Sequence, residues 1–229
     1  MTYYSISALI NACVSLLLGI FILYKNPKAK LNKALFFWCF TVAFWSSFYF
    51  IWQLENKESK ALLWTRLLML GAIWVPIAYF RVVAIFLNFE KQKKFCIIFN
   101  YIISIIFSLL LLTPLMVKSV GPVANFSFWP KPGNAYIFFL IMFAGVSLYS
   151  ALLSYKFLKK VSAVKRAQLK FMLWGIAISI IGGSTNYFLW YDIPIKPYGN
   201  IFASTYVIMT VYAIVRYRLL DIKFVLRKS

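Results

Sequence analysis

Seven long, continuously apolar stretches dominate this chain, at about 5–24, 34–53, 61–88, 95–116, 135–157, 170–190 and 199–216. A helix rises about 1.5 Å per residue, so about 20 apolar residues cross the roughly 30 Å of hydrocarbon in a bilayer. Inside that layer no water pairs the backbone N–H and C=O groups, and a helix satisfies them within one segment. The stretches are unbroken rather than alternating, which argues against a barrel, whose strands need only about ten residues. The expected fold is all-α: a polytopic membrane protein with a seven-transmembrane-helix bundle over 1–216 and a cytoplasmic exit helix or tail over 217–229. The third stretch is the longest and holds Pro76, which predicts a tilt or kink. Residues 1–5 carry no Lys or Arg, so the first stretch reads as a true span rather than a signal peptide.

Composition excludes the alternatives. The chain is 63% hydrophobic and only 13% charged, whereas a soluble domain is about half apolar and a quarter charged. There is too little polar surface to coat a globule in water, and too much apolar surface for a disordered chain. Twenty-five Lys and Arg against five Asp and Glu give +20. In a soluble protein that excess points to nucleic acid; here it marks loops that face anionic lipid, and no nucleic-acid partner is expected. With the N-terminus outside, eighteen basic residues fall in inner loops and the tail, and five in outer loops; Arg66 and Arg81 lie within the third span. This is a strong positive-inside bias, and N-out with C-in requires an odd number of spans. The expected location is the cytoplasmic membrane of the cell, as a multi-pass protein.

Chemistry finds few carriers. The chain has no His and three widely spaced Cys, at 13, 39 and 96, each in an apolar run. No metal site, disulfide framework, cofactor or catalytic residue is expected. All five acids, Glu55, Glu58, Glu90, Asp192 and Asp221, lie in loops or at span ends. Charged residues within a span are the default functional suspects. Arg66 and Arg81 are fifteen residues apart, close to four helical turns, on roughly one face and about 22 Å apart. Arg66 reads either as a snorkelling side chain or as the partner of an anionic or carboxylate ligand, and the deeper Arg81 either as snorkelling or as bonded to a buried partner, polar backbone or internal water.

The outer half gathers aromatic residues. A belt at the membrane interface explains most of them, but Trp64, Arg66, Trp74, Tyr187 and Asp192, with Asn186 and Trp190, form a candidate ligand cup open to the outside. In the sixth span Gly182, Gly183, Ser184, Thr185 and Asn186 read as a close-packing stretch, or as a hinge or pocket floor. The outer loop at about 117–134 is rich in Gly, Pro, Phe and Trp, and reads as a turn-rich connector or a lid. The tail follows the last span without Gly or Pro; Arg216 and Arg218 sit at its head, and Asp221 three residues after Arg218 is spaced to pair with it. It reads as an interfacial amphipathic helix or as a signal-transmitting stem.

The run 164–170, Gly175, Ile181-Gly182-Gly183 and Asn186, the run 193–200, and above all Tyr212-Ala213-Ile214-Val215-Arg216-Tyr217-Arg218-Leu219-Leu220-Asp221-Ile222 form a distinctive set. These segments resemble the seven-transmembrane N-terminal sensor module of bacterial and archaeal histidine kinases, the last of them most specifically. Trp45, Leu70-Gly71-Ala72, Pro76 and Tyr155-Lys156 fit the same pattern. Arg81 departs from it, since many relatives carry His there. The resemblance implies a membrane receptor that senses an extracellular or membrane-borne ligand, small or lipophilic, and passes a conformational signal inward. It also implies a homodimer, or a mixed dimer with a histidine kinase. In the family this module leads into a hairpin with the phosphoacceptor His and then an ATP-binding domain. The expectation is therefore that the chain is not an enzyme, and that any kinase activity lies in a partner or beyond Ser229. The alternative reading is a small transporter or lipid-handling protein, which the sparse intramembrane charge and absent repeats disfavour.

Overall fold

The structure is a computed structural model and describes residues 1–226. Seven helices form the bundle: α1 (Tyr3–Lys25), α2 (Lys30–Gln53), α3 (Glu58–Phe86), α4 (Lys94–Leu110), α5 (Tyr136–Phe157), α6 (Ala163–Phe188) and α7 (Thr205–Leu226). A two-stranded antiparallel hairpin, β1 (Val117–Val123) and β2 (Phe126–Pro132), lies between α4 and α5. Two 3-10 segments, Leu189–Tyr191 and Tyr198–Ser204, bracket the link from α6 to α7. Among the described residues, six helical segments are long and apolar enough to cross a membrane, the last two of them running over Ala163–Tyr191 and Tyr198–Arg216.

α3 is the central helix. It runs unbroken through Pro76, and 72% of its apolar window is buried. α2 packs closely on it because Gly71 faces the α2 backbone: a Cβ there would lie 2.7 Å from the Trp45 amide nitrogen. α1 packs on α2, α7 packs on α6, and α5 bridges α3 and α6 more sparsely. α4 rests chiefly on α3 and also meets α5, where the Phe107 and Phe139 rings lie edge to face at 6.3 Å, while Ile98, Ile102, Ile105 and Leu109 of α4 face outward. Exposed apolar side chains of this kind are what a lipid solvent requires.

Several predicted boundaries differ. The fourth apolar stretch does not run to 116. α4 ends at Leu110 after 17 residues, and the Thr113 hydroxyl donates to the Leu110 carbonyl at 2.7 Å. Pro114 follows, and proline lacks the N–H that a continuing helix needs. α6 begins at Ala163 rather than 170, with the Ser162 hydroxyl accepting the Lys165 N–H as its cap. α7 begins at Thr205, and its backbone stays helical through Leu226, so the expected exit segment continues the last span. The side chains of Arg218 and Asp221 lie outside the described residues.

The segment expected as connector or lid is a hairpin laid across the end of the bundle. Val117, Val120 and Val123 turn one face of β1 inward, with Trp129 of β2 beside them. Ala124 makes the turn with φ 50°. Trp52 of α2 donates its indole N–H to the Phe128 carbonyl at 2.9 Å, and its ring meets Trp129 edge to face at 5.0 Å. Lys131 forms an ion pair with Asp192. Tyr136 stacks on Trp190 at 4.1 Å and closes the α5–α6 corner. The basic loops gather at the other end, where Lys30 reaches Glu90 at 3.6 Å and Phe89 packs on Phe157 at 4.7 Å. One apolar cluster fills each end of the bundle.

Candidate functional site

Beneath the hairpin, α3 and α6 are held apart, and the gap is a cavity that offers about 100 Å³ to water centres. α2 supplies Trp45, Tyr49 and Trp52 to its wall, and α3 supplies Met69, Ala72, Pro76 and Tyr79. α6 supplies Ser179, Gly183, Ser184 and Asn186, and Tyr206 comes from the first turn of α7. Trp129 and Pro130 of β2 roof it, and both are buried. Among the described residues, no Asp, Glu, Lys or Arg lines it.

Of the seven residues of the predicted cup, the structure brings Asn186, Tyr187 and Trp190 to this cavity. The other four lie elsewhere, each for a local reason. Trp64 donates its indole N–H to Glu55 Oε2 at 3.0 Å and stacks on Phe48. Trp74 points to α4, donating to the Ser108 hydroxyl at 3.2 Å. Arg66 is half-buried on another face of α3, with Nε lacking a hydrogen-bond partner. Asp192 caps the 3-10 turn in a left-handed conformation (φ 60°) and pairs with Lys131 outside the cavity. Arg81 donates to the Tyr101 hydroxyl at 3.1 Å, a contact between α3 and α4 inside the bundle. Arg216 sits over the Tyr212 ring at 5.3 Å.

Glu55 is the perturbed acid outside the spans. The Trp64 indole N–H, with the backbone N–H groups of Asn56 and Lys57, holds its carboxyl below the usual carboxylate range.

Four residues that line the cavity carry polar atoms that nothing satisfies, each enclosed by its neighbours rather than open to the free space. Tyr49 Oη, Tyr79 Oη, Trp129 Nε1 and Asn186 Oδ1 are sealed from solvent and have no hydrogen-bond partner among the described residues. Their side chains are 2%, 1%, 1% and 6% exposed. Leaving such a group unpaired costs about 1–3 kcal/mol. Four of them around one cavity call for an explanation.

A buried polar cluster lies beside the cavity. Asn186 Nδ2 donates to Asn200 Oδ1 at 3.1 Å, and Asn11 Nδ2 of α1 donates to the Asn200 carbonyl at 2.7 Å. Ser179 joins α6 to α7: its hydroxyl donates to the Phe202 carbonyl at 2.9 Å and accepts the Tyr206 N–H at 3.1 Å. Gly182 permits this closeness, since a Cβ there would lie 2.7 Å from the Gly199 carbonyl oxygen. No group of three His, Cys, Asp or Glu among the described residues is placed to hold a metal.

The family model for the N-terminal 7TM region of histidine kinase matches residues 7–223, nearly the whole chain. The chain belongs to this family. Comparison with curated proteins and with solved structures gave no match. The protein is thus a multi-pass membrane protein of histidine-kinase-associated sensor type, and the family is a sensor module rather than a catalytic domain. The cavity, the asparagine cluster and Ser179 all lie within the matched span of this 7TM region.

The sequence reading did not single out Tyr49, Tyr79, Trp129 or Tyr206. Trp129 sits in the segment read as a connector or lid. Tyr49 and Tyr79 stand in helices that are apolar on every side, so periodicity gives no face to assign them to.

Proposed function

We propose that this module is a receptor in the cytoplasmic membrane, with the hairpin end outside and the basic loops inside. A small or lipophilic ligand occupies the cavity between α3 and α6. Occupancy shifts α6 and α7 against α3, and the helical exit segment that carries Arg216, Arg218 and Asp221 passes the shift to a cytoplasmic histidine kinase, as a homodimer or a mixed dimer. The observation that carries this reading is Ser179. It lines the cavity and also bonds to the Phe202 carbonyl and the Tyr206 N–H at the start of α7. A group that enters the cavity meets the element that leaves the membrane. Coupling of this kind requires the ligand to favour one of two bundle states, and a tenfold preference corresponds to about 1.4 kcal/mol.

Crosslinking and co-purification from native membranes through a C-terminal tag tests the reading. Recovery of a histidine kinase or its response regulator, identified by mass spectrometry, is the expected result. Recovery of the protein alone, together with substrate flux across liposomes, contradicts it in favour of transport.

A further inference from the structure

We propose that the cavity takes a neutral, mainly apolar molecule of about ten to fifteen non-hydrogen atoms that carries a hydrogen-bond acceptor such as a carbonyl, and that this molecule enters sideways from the bilayer between α5 and α6. The proposal rests on the receptor reading for its purpose, and on the cavity alone for its chemistry.

Charge comes first. Among the described residues, no Asp, Glu, Lys or Arg lines the cavity. A buried ion without a counter-charge is too costly to hold, so the occupant is neutral. Polarity comes next. Three of the four unpartnered wall atoms belong to donor groups, the Tyr49 and Tyr79 hydroxyls and the Trp129 indole N–H. None of the three opens onto the free space as the rings stand; a turn of a ring brings its donor to an acceptor on the occupant. Size follows from the free space. One water needs about 10–15 Å³ of room for its centre and fills about 30 Å³ of liquid, so the cavity holds roughly seven to ten waters, and bonded carbon atoms, which take less room each, fit in the larger number of about ten to fifteen.

The route follows from the exposure of the wall. Trp129, Pro130 and Trp52 close the hairpin end and are buried. On α6, Gly183 and Ser184 are half-exposed, and Ile180 is 36% exposed while still lining the cavity. Phe143 of α5 faces them and is also half-exposed. A Cβ added to Gly183 would meet nothing within 4 Å. This sparse α5–α6 contact opens toward the lipid.

Benzophenone, a neutral aryl ketone of suitable size that crosslinks to C–H bonds on irradiation, is the probe. The protein is reconstituted in liposomes, irradiated with benzophenone, and mapped by peptide mass spectrometry. The expected result is saturable labelling of Met69 and its neighbours on α3, and of 176–187 on α6. Diphenylmethane, which lacks the carbonyl, and benzophenone-4-carboxylate, which is charged, compete about tenfold or more weakly. Gly183→Trp, or Ser184→Phe if the first variant does not accumulate, abolishes the labelling. Gly145→Trp, an open position on the outer side of α5, leaves it intact. Non-saturable labelling spread over the lipid-facing sides of α1 and α4, unchanged by Gly183→Trp, overturns the proposal. So does equal competition by the hydrocarbon or the carboxylate. Specific labelling without movement of α7 supports this ligand chemistry and removes the receptor reading. Unspecific labelling with a recovered kinase overturns the ligand chemistry and leaves the receptor reading in place.

Discussion

Asn186 on α6 donates to Asn200 at 3.1 Å, and through Asn200 it reaches Ser7 of α1 at 3.2 Å. Three segments distant in sequence are joined by two amide groups buried to 6% and 0% exposure. In an apolar interior such a fully enclosed network orients elements that would otherwise slide. Asn200→Leu therefore removes the bonds from Asn186 and to Ser7, while the Asn186 amide keeps the Gly183 carbonyl and the Ser7 hydroxyl keeps the Tyr4 carbonyl. The expected loss is about 1–3 kcal/mol of stability, from two buried hydrogen bonds. Unfolding in increasing fractions of dodecyl sulfate measures it. Because the two sites share one bond, Asn186→Leu combined with Asn200→Leu costs less than the sum of the single changes.

Gly182 and Gly183 are neighbours with opposite predictions. Gly182→Ala places a methyl against the Gly199 carbonyl and 3.0 Å from the Phe202 side chain, and must push α6 away from the 3-10 segment. It costs about 1–3 kcal/mol. Gly183→Ala meets nothing within 4 Å and gains the helix propensity of alanine, so it is neutral or stabilises by up to about 1 kcal/mol. Thermal unfolding of the two purified variants compares them directly.

The Glu55 carboxyl is lowered chiefly by the Trp64 indole N–H. A carboxyl with a depressed folded-state pKa adds stability that is present above its unfolded pKa and is lost as pH falls through the folded value. Trp64→Phe removes the main donor and raises the Glu55 pKa toward the ordinary carboxylate range. Titration of carbon-13-labelled glutamate by NMR reads the shift. In the variant, the acid side of the stability profile begins to fall at a higher pH.

Tyr79→Phe separates stability from function. The hydroxyl it removes is buried and unpaired, so its loss is neutral or raises the melting temperature. The same change removes a donor from the cavity wall and weakens benzophenone relative to diphenylmethane about fivefold to tenfold. A melting curve and a competition series on one preparation check both halves.

The helical architecture was legible because spanning helices must be both long and apolar, and seven such stretches stand out. The hairpin was not, because Pro122, Pro130 and Pro132 interrupt the alternation that marks a strand, and because edge positions of a two-stranded ribbon tolerate proline. The end of α4 is encoded by Thr113-Pro114, which stands inside a longer apolar run that masks it. The site was legible only in part. Asn186, Tyr187 and Trp190 stand together near the end of one helix and stay together in space. Trp64, Trp74 and Asp192 found partners in a loop, in α4 and in the hairpin, and no pattern in the chain encodes those pairings. A soluble helix announces its buried face by polar residues on the other side; in lipid both faces are apolar, and this signal vanishes.

The central claim is that filling the space between α3 and α6 moves α7. Spin labels at Lys91, in the turn after α3, and at Arg216 on α7 report that movement. Cys13 and Cys96 are replaced by Ser and Cys39 by Ala, and the protein is held in liposomes. Pulsed dipolar distances are compared between this background and the same protein with Gly183→Trp, whose indole fills the cavity mouth. The account predicts a displaced distance distribution, by about 1–2 Å or more, the scale of helix shifts in switching proteins. Superimposable distributions, in a variant that has lost benzophenone labelling, contradict it.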